Sequence, residues 1–269
     1  MVKIYQDYDE EPEDIFLPLP EELACEFYAL EMDGFTADID FFGPLLPRHG
    51  TVLELGCGTG RIASKLAELS DGNRFIMGID ISIPMLRLAR QKAGHTGHHP
   101  FYLCMDMTRL GFRKKFDAIL IPYNTLNLLC SKDRIIECLQ GCKNILQPGG
   151  RLLVQVFVPT GDFIRQRKTF QFQMFDRPGN GKIIKEQLKH YEPQSLSIQV
   201  EERFRVRPMQ EGEADEDWNS IYCIAAFSAD QWFSFFNEVG FTLTSFYGDY
   251  TGTPYQQSSS TTLLASLTL

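Results

Sequence analysis

An acid and three glycines alternate over seven residues, Glu54-x-Gly56-x-Gly58-x-Gly60, and Arg61 comes next. A glycine-rich turn between a strand and a helix lets a ligand approach the backbone and exposes amide N–H groups at the helix start. Two acids follow at the ends of apolar runs, Asp80 and Asp106. A carboxylate at Asp80 can accept hydrogen bonds from two ribose hydroxyls, and one at Asp106 can receive an adenine amino group. The chemistry is that of a nucleoside site. The dinucleotide fingerprint GxGxxG needs glycine at position 61, so Arg61 argues against a pyrophosphate lying across this helix start. Asp80 by itself does not separate an NAD site from another nucleoside site.

Such residues need a parallel sheet to hold them. Residues 51–55 read as a short strand and 61–69 as a helix with Ile62, Leu66 and Leu69 inward. A strand over 74–79 follows, then a helix to about 92, capped by Ser82 with Pro84 in its first turn. Strands are expected at 101–104 and 116–121, a helix at 132–146, and a fifth, largely apolar strand at 151–158 after the turn Pro148-Gly149-Gly150. Strands alternating with helices at this spacing imply a parallel α/β sheet, with ligands outside the carboxyl ends of its strands.

The grammar changes after Pro159. Residues 169–175, 182–191, 195–204 and 219–227 alternate with period two, and Asn180-Gly181 and Pro193-Gln194 are turn candidates. This predicts an antiparallel insert over 160–227. A helix over 229–239, capped by Ser228, and strands at 241–246 and 261–269 return to the core. The expected organisation is a flexible acidic arm (1–20), a nucleoside-binding α/β core (21–159, with helices at 21–32 and 38–46), the insert, and a C-terminal helix and two strands (228–269) completing the core sheet.

Composition narrows the partners. The 269 residues carry 26 basic and 35 acidic side chains, net charge -9. Basic residues cluster only at 113–115 and 165–168, which read as solvated loops, so nucleic acid is not the expected substrate. The seven cysteines show no CxxC pair. Cys138 and Cys142 share a helix face, and the thiols read as reduced, in keeping with a cytoplasmic setting. His95, His98 and His99 share one loop without metal-ligand spacing, so no metal is expected. The N-terminus lacks a basic start followed by an apolar run, and no stretch reaches the ~20 apolar residues of a membrane span.

The segment Val52-Leu53-Glu54-Leu55-Gly56-Cys57-Gly58-Thr59-Gly60 resembles motif I of the class I S-adenosylmethionine (SAM)-dependent methyltransferases. Gly78-Ile79-Asp80-Ile81-Ser82 resembles their second motif, Cys104-Met105-Asp106-Met107 their adenine-contact segment, and Leu146-Gln147-Pro148-Gly149-Gly150-Arg151 the turn before their fifth strand. The resemblance implies a seven-stranded, mostly parallel, doubly wound sheet, here with the antiparallel insert after strand five. It implies SAM as cofactor, leaving as S-adenosylhomocysteine. Glu54 with Gly56, Cys57, Gly58 and Gly60 would hold the methionine portion and Asp80 the ribose. Ile81 and Met107 would sandwich the adenine, with Asp106 at its amino group and Pro122 also at the cofactor.

Residues 121–127 border the transferred methyl in that family. The (Asp/Asn)-Pro-Pro-Tyr signature of enzymes acting on nucleic-acid or protein amino groups is broken here, where Ile121 precedes Pro122-Tyr123. The run Asn124-Thr125-Leu126-Asn127 is closer to small-molecule N- and O-methyltransferases. Tyr123 and Asn124 are the candidates for orienting the acceptor; the alternative is a packed tyrosine and a helix-capping asparagine. Methyl transfer from a sulfonium is an in-line displacement needing alignment above all, so a base is optional. His190 in the insert is the candidate base, since imidazole titrates near neutrality, against the reading of an ordinary strand histidine. The aromatic insert (Phe170, Phe172, Phe175, Tyr191, Phe204) suits a water-excluding lid or a homodimer sheet. The expected function is methyl transfer to an amine or hydroxyl of a small molecule. The alternatives are a catalytically silent binding protein of the same fold and, further off, an NAD-type dehydrogenase.

Overall fold

The computed structural model describes residues 16–70, 72–93, 99–179, 181–208 and 214–269. Most of the acidic arm, His95 and His98, Asn180 of the first turn and part of the acidic loop at 211–217 lie outside them. In chain order the elements are β1 (Leu17–Pro18), α1 (Glu21–Met32), α2 (Ala37–Phe42), β2 (Gly50–Leu55), α3 (Arg61–Glu68), β3 (Arg74–Asp80), α4 (Ile83–Ala93), β4 (Phe101–Cys104) and β5 (Phe116–Ile121). Then come α5 (Lys132–Ile145), β6 (Leu146–Phe157), α6 (Gly161–Gln166), β7 (Lys168–Arg177), β8 (Gly181–Glu192), β9 (Ser197–Arg207), β10 (Glu216–Ala225), α7 (Ala229–Val239), β11 (Thr242–Tyr247) and β12 (Thr262–Thr268). The chain forms two compact units, one of residues 35–160 and 225–269, the other of 1–34 and 161–224.

The larger unit holds a seven-stranded sheet in the order β11-β12-β6-β5-β2-β3-β4. The strands from β6 to β4 run parallel, and β12 and β11 close the edge antiparallel. The alternating strand–helix pattern implies the parallel sheet, and the resemblance implies the seven-stranded, doubly wound form found here. The central strands are apolar because both faces are covered: Val52, Leu53 and Leu55, and Ala118 through Ile121, are fully buried. Helix α3 buries Ile62, Ala63, Leu66 and Ala67, one stripe at helical spacing. Helix α7 starts at a full capping box between Ser228 and Gln231 and ends at Gly240, whose φ is +95°. It seats Trp232 and Phe236 in the core, each such side chain contributing about 1.5–3 kcal/mol on burial. Strand β6 begins earlier than periodicity predicts. Phe116 pairs with Leu146 and Ala118 with Arg151, so the Pro148-Gly149-Gly150 turn is an irregularity carried inside the strand.

The smaller unit is a five-stranded sheet in the order β1-β10-β9-β8-β7. Its four long strands come from the insert, and β7, β8 and β9 pair antiparallel as the alternation predicts. Two residues beyond the reach of periodicity, Leu17 and Pro18, add a parallel edge against Trp218 and Asn219. Helix α1, which the sequence places with the core, groups with this sheet. Phe27 packs at 5.1 Å from Phe204 with Ile183 and Val206 around it, and Glu26 accepts from Arg177 Nε at 2.7 Å. Buried Lys185 pairs with Glu31 of α1 at 2.8 Å and with Glu202 at 2.9 Å.

Among the described residues no helix is long and apolar enough to cross a membrane. The expectation of reduced thiols holds for Cys25, Cys57, Cys104, Cys138 and Cys142, of which only Cys104 is exposed. It is corrected for Cys130 and Cys223, which are disulfide-bonded.

Candidate functional site

The glycine turn leaves β2 in a conformation that side chains resist. Gly56, Gly58 and Gly60 have φ of +67°, +53° and +74°. Space excludes a side chain as well: a Cβ on Gly56 would overlap Thr125 Cγ2, and one on Gly60 would overlap the Tyr102 hydroxyl. That hydroxyl is held 2.9 Å from Ser64 Oγ on α3. Cys57 N–H donates to the Ile79 carbonyl at 2.9 Å, tying the turn to β3. Its thiol is buried and burial pushes its pKa up, so Cys57 serves as a neutral packing group. Gly78 completes the fit, since a Cβ there would come 2.8 Å from Cys57 Sγ.

Asp80 ends β3 beside this turn. Gly58 N–H donates to its Oδ2 at 2.8 Å and Ser82 N–H to its Oδ1 at 2.9 Å. A carboxylate offers about four lone-pair sites, so each oxygen retains one. Ile81 projects next to it, 70% exposed. Met105 N–H donates to the Asp80 carbonyl at 3.0 Å, which brings the 105–107 segment alongside. Asp106 Oδ1 accepts from both Thr108 N–H and Thr108 Oγ at 2.9 Å, and its Oδ2 lies 3.6 Å from Arg134. These bonds, the Thr108 amide first, hold its pKa below the ordinary carboxylate range. Met107 is half-buried in the same turn.

Glu54 is 2% exposed, and its Oε2 has no hydrogen-bond partner. Burial pushes its carboxyl up to about 8, against the pull of the Arg61 guanidinium. The Thr59 hydroxyl in the turn is likewise buried without a partner. Arg61 is engaged elsewhere: Nη1 donates to Asp38 Oδ1 at 2.8 Å, Nη2 to Asp38 Oδ2, and Nη1 also to the Phe35 carbonyl. Asp38 is fully buried, so this pair fastens the start of α2 to the start of α3.

After β5, buried Pro122 leads into Tyr123 and Asn124, two consecutive side-chain-bearing residues at positive φ (+50° and +60°). Such backbone costs on the order of 1–3 kcal/mol per residue and persists where its surroundings enforce it. Asn124 stands at the start of a 3-10 turn (Thr125–Leu129), but its side chain makes no capping bond and its Oδ1 is buried without a partner. The helix-capping alternative for Asn124 is therefore not realised. Asn127 supplies the enforcement. It is fully buried, its Nδ2 donates to the Phe157 and Ala225 carbonyls at 3.1 and 2.8 Å, and its Oδ1 accepts from Phe157 N–H at 3.0 Å. Tyr123 N–H donates to Gln155 Oε1 at 2.8 Å.

The structure thus gathers Glu54, Gly56, Cys57, Gly58, Gly60, Asp80, Ile81, Asp106, Met107, Pro122, Tyr123 and Asn124 along the carboxyl ends of β2, β3, β4 and β5. His190 is not in that group. It stands on β8 of the smaller unit with Nδ1 3.5 Å from Glu192 Oε1. Sequence reasoning missed Thr125, Tyr102, Gly78, Asn127 and Gln155. Gly78 lay within a motif, and a glycine inside a strand signals close approach; Thr125 and Asn127 lay in the segment 121–127 without a role of their own, and Tyr102 and Gln155 carry no local signal.

Three of the five buried side-chain atoms without a partner among the described residues, Glu54 Oε2, Thr59 Oγ1 and Asn124 Oδ1, with the two open positions on Asp80, fit a polar ligand bearing a cationic part and a ribose. A family profile described as a methyltransferase domain matches residues 52–150. The chain is 35% identical over 109 residues to the demethylmenaquinone methyltransferase of Thermus thermophilus, covering 40% of this chain and 47% of that protein. The chain spans about half the length of the curated relatives it matches. Among solved structures, an S-adenosylmethionine-dependent methyltransferase from Clostridium acetobutylicum ATCC 824 superposes with a TM-score of 0.74 at 16% identity, over 92% of this chain and 98% of that one. The sugar N-methyltransferase KedS8 from Streptoalloteichus sp ATCC 53650 does so with a TM-score of 0.71 at 14% identity, over 98% and 97%. These structural matches speak for the fold alone. Residues 52–150, set in this sheet, are a class I, Rossmann-like, SAM-dependent methyltransferase domain.

Proposed function

We propose that this chain transfers a methyl group from SAM to an amine or hydroxyl of a small molecule. The observation that carries the reading is Glu54 Oε2, buried at the glycine turn without a partner. A buried carboxyl oxygen without a partner is costly unless a cationic or donor group meets it. The methionine ammonium is such a group. Asp80, with one open position on each oxygen, would take the two ribose hydroxyls. Asp106 Oδ2, at the oxygen that Thr108 does not use, would take the adenine amino group between Ile81 and Met107.

SAM supplies an activated methyl on a sulfonium with a neutral leaving group. The residues then have two tasks, alignment and exclusion of water. Asn124, fixed at positive φ with its Oδ1 buried and unpartnered, would orient an acceptor N–H or O–H. Tyr123 would wall the acceptor. The amine or hydroxyl choice is supported by residues 121–127, which lack the acidic-Pro-Pro-Tyr pattern. Incubation with methyl-labelled SAM and a library of small amines and alcohols tests it. Label in an amine or hydroxyl product supports the reading, and SAM binding without label transfer to any of them favours the silent alternative.

A homodimer through the insert belongs to the same proposal. Phe170, Phe172 and Met174 alternate on one face of edge strand β7, with Phe172 73% exposed. Light scattering should report a dimer that Phe172→Asp returns to monomer; a wild-type monomer at micromolar concentration contradicts it.

A further inference from the structure

We propose that Gln155 is a positioning residue for the methyl acceptor. Its carboxamide gathers Tyr123 and Tyr250 about Phe35 into an aromatic wall that takes a ring-bearing acceptor. The inference rests on the function proposed above and adds the acceptor's class and the residues that select it.

Gln155 is 3% exposed on β6, in an otherwise apolar stretch of the strand. A buried amide in such a strand is costly unless bonded. Here a single oxygen accepts twice, from Tyr123 N–H at 2.8 Å and from the Tyr250 hydroxyl at 2.7 Å. Burial, and the Asp38 carboxylate after it, push the Tyr250 pKa up, so the phenol remains a neutral donor. The neighbouring strand ends at Ile121, which pairs with Val154, so Gln155 lies beside Pro122 at the end that borders the cofactor residues.

The rings so fixed converge on Phe35. Its centroid is 6.2 Å from that of Tyr123 and 5.6 Å from that of Tyr250, both edge to face. Phe35 is itself held from behind. The Arg61 guanidinium stands 5.4 Å from its centroid and bonds its carbonyl, while buried Asp38 fixes the guanidinium. Of these rings Tyr123 remains 39% exposed. Aromatic faces favour an apolar face of another ring, either an arene or the C–H face of a sugar, and offer little to a short linear amine.

Saturation-transfer NMR on the full chain with S-adenosylhomocysteine tests this, using tyramine, glucosamine and ethanolamine as probes. Calorimetry of S-adenosylhomocysteine on each protein runs in parallel. At least one ring probe should be saturated by the wild type, tyramine indicating an arene and glucosamine a sugar, and ethanolamine should not. Gln155→Leu should weaken the ring signal about fivefold, the value of one net hydrogen bond, with S-adenosylhomocysteine affinity kept within about twofold. Tyr250→Phe keeps the ring and deletes the donor, and should give the same direction should Gln155→Leu fail to fold. Equal ring signal in a folded variant, saturation of ethanolamine as strong as that of the rings, or no ring signal at all overturns the proposal. Absence of S-adenosylhomocysteine uptake by the wild type overturns the underlying function instead, and this inference with it.

Discussion

Gly58 donates its backbone N–H to Asp80 Oδ2 at 2.8 Å, so the glycine turn and the acid at the end of the adjacent strand form one unit. Asp80→Ala removes both the anchor of the turn and the two open acceptor positions. Two hydrogen bonds to a charged group, at about 1.5–3 kcal/mol each, translate to a loss of roughly a hundredfold or more in cofactor affinity. Calorimetry with S-adenosylhomocysteine reads it. An affinity within a few-fold of wild type would mean the ribose is held elsewhere.

Glu54 makes stability depend on pH in a stated direction. Its pKa rises from 4.5 to about 8 through burial, so between those values the folded chain retains a proton that the unfolded chain has lost. Stability therefore falls as pH rises across that window, at up to about 1.4 kcal/mol per pH unit. Urea midpoints at pH 5 and pH 8 should differ less in Glu54→Gln than in wild type, and an unchanged slope refutes the assignment. Cation uptake favours the ionised carboxyl, so SAM binding at pH 7 should release protons. Its heat should then vary with the buffer's ionisation enthalpy, an effect absent in Glu54→Gln.

Gly56→Ala places a Cβ on Thr125 Cγ2 at a φ of +67°. Either the turn or the segment after β5 must shift. We expect a loss of about 1–3 kcal/mol in thermal or urea unfolding and a larger proportional loss of cofactor affinity. A variant of wild-type stability would show that the turn yields freely.

Asn124 separates stability from function. Asn124→Gly relieves a positive φ and should stabilise the fold by up to about 1 kcal/mol. The same change deletes the buried Oδ1 and should lower turnover with a found acceptor by about tenfold or more. Stabilisation with full activity would return Asn124 to a purely structural role.

The fold was legible because its signals are local. Apolar strands, the capping residues Ser82 and Ser228, and the alternation after Pro159 each follow from a few adjacent residues. The cofactor side was legible for the same reason, since Glu54 to Gly60 and Asp80 lie in compact motifs. Residues that work by meeting distant partners left no such trace. Asn127 joins Phe157 and Ala225, Gln155 joins Tyr123 and Tyr250, and Arg61 joins Asp38. In sequence Arg61 spoke only against a dinucleotide, whereas in the structure it is half of a buried ion pair. Asp106 was legible as an acid after a strand, but its bonds to Thr108 lie in the turn itself and could not be weighed from residue type.

Cofactor choice is the claim on which the site's chemistry turns, and titration calorimetry of the purified chain with SAM and with NAD reads it. We predict saturable one-to-one uptake of SAM, weakened by about a hundredfold in Asp80→Ala, and no heat with NAD. Uptake of NAD instead, or no SAM binding by a folded wild-type protein, would contradict it.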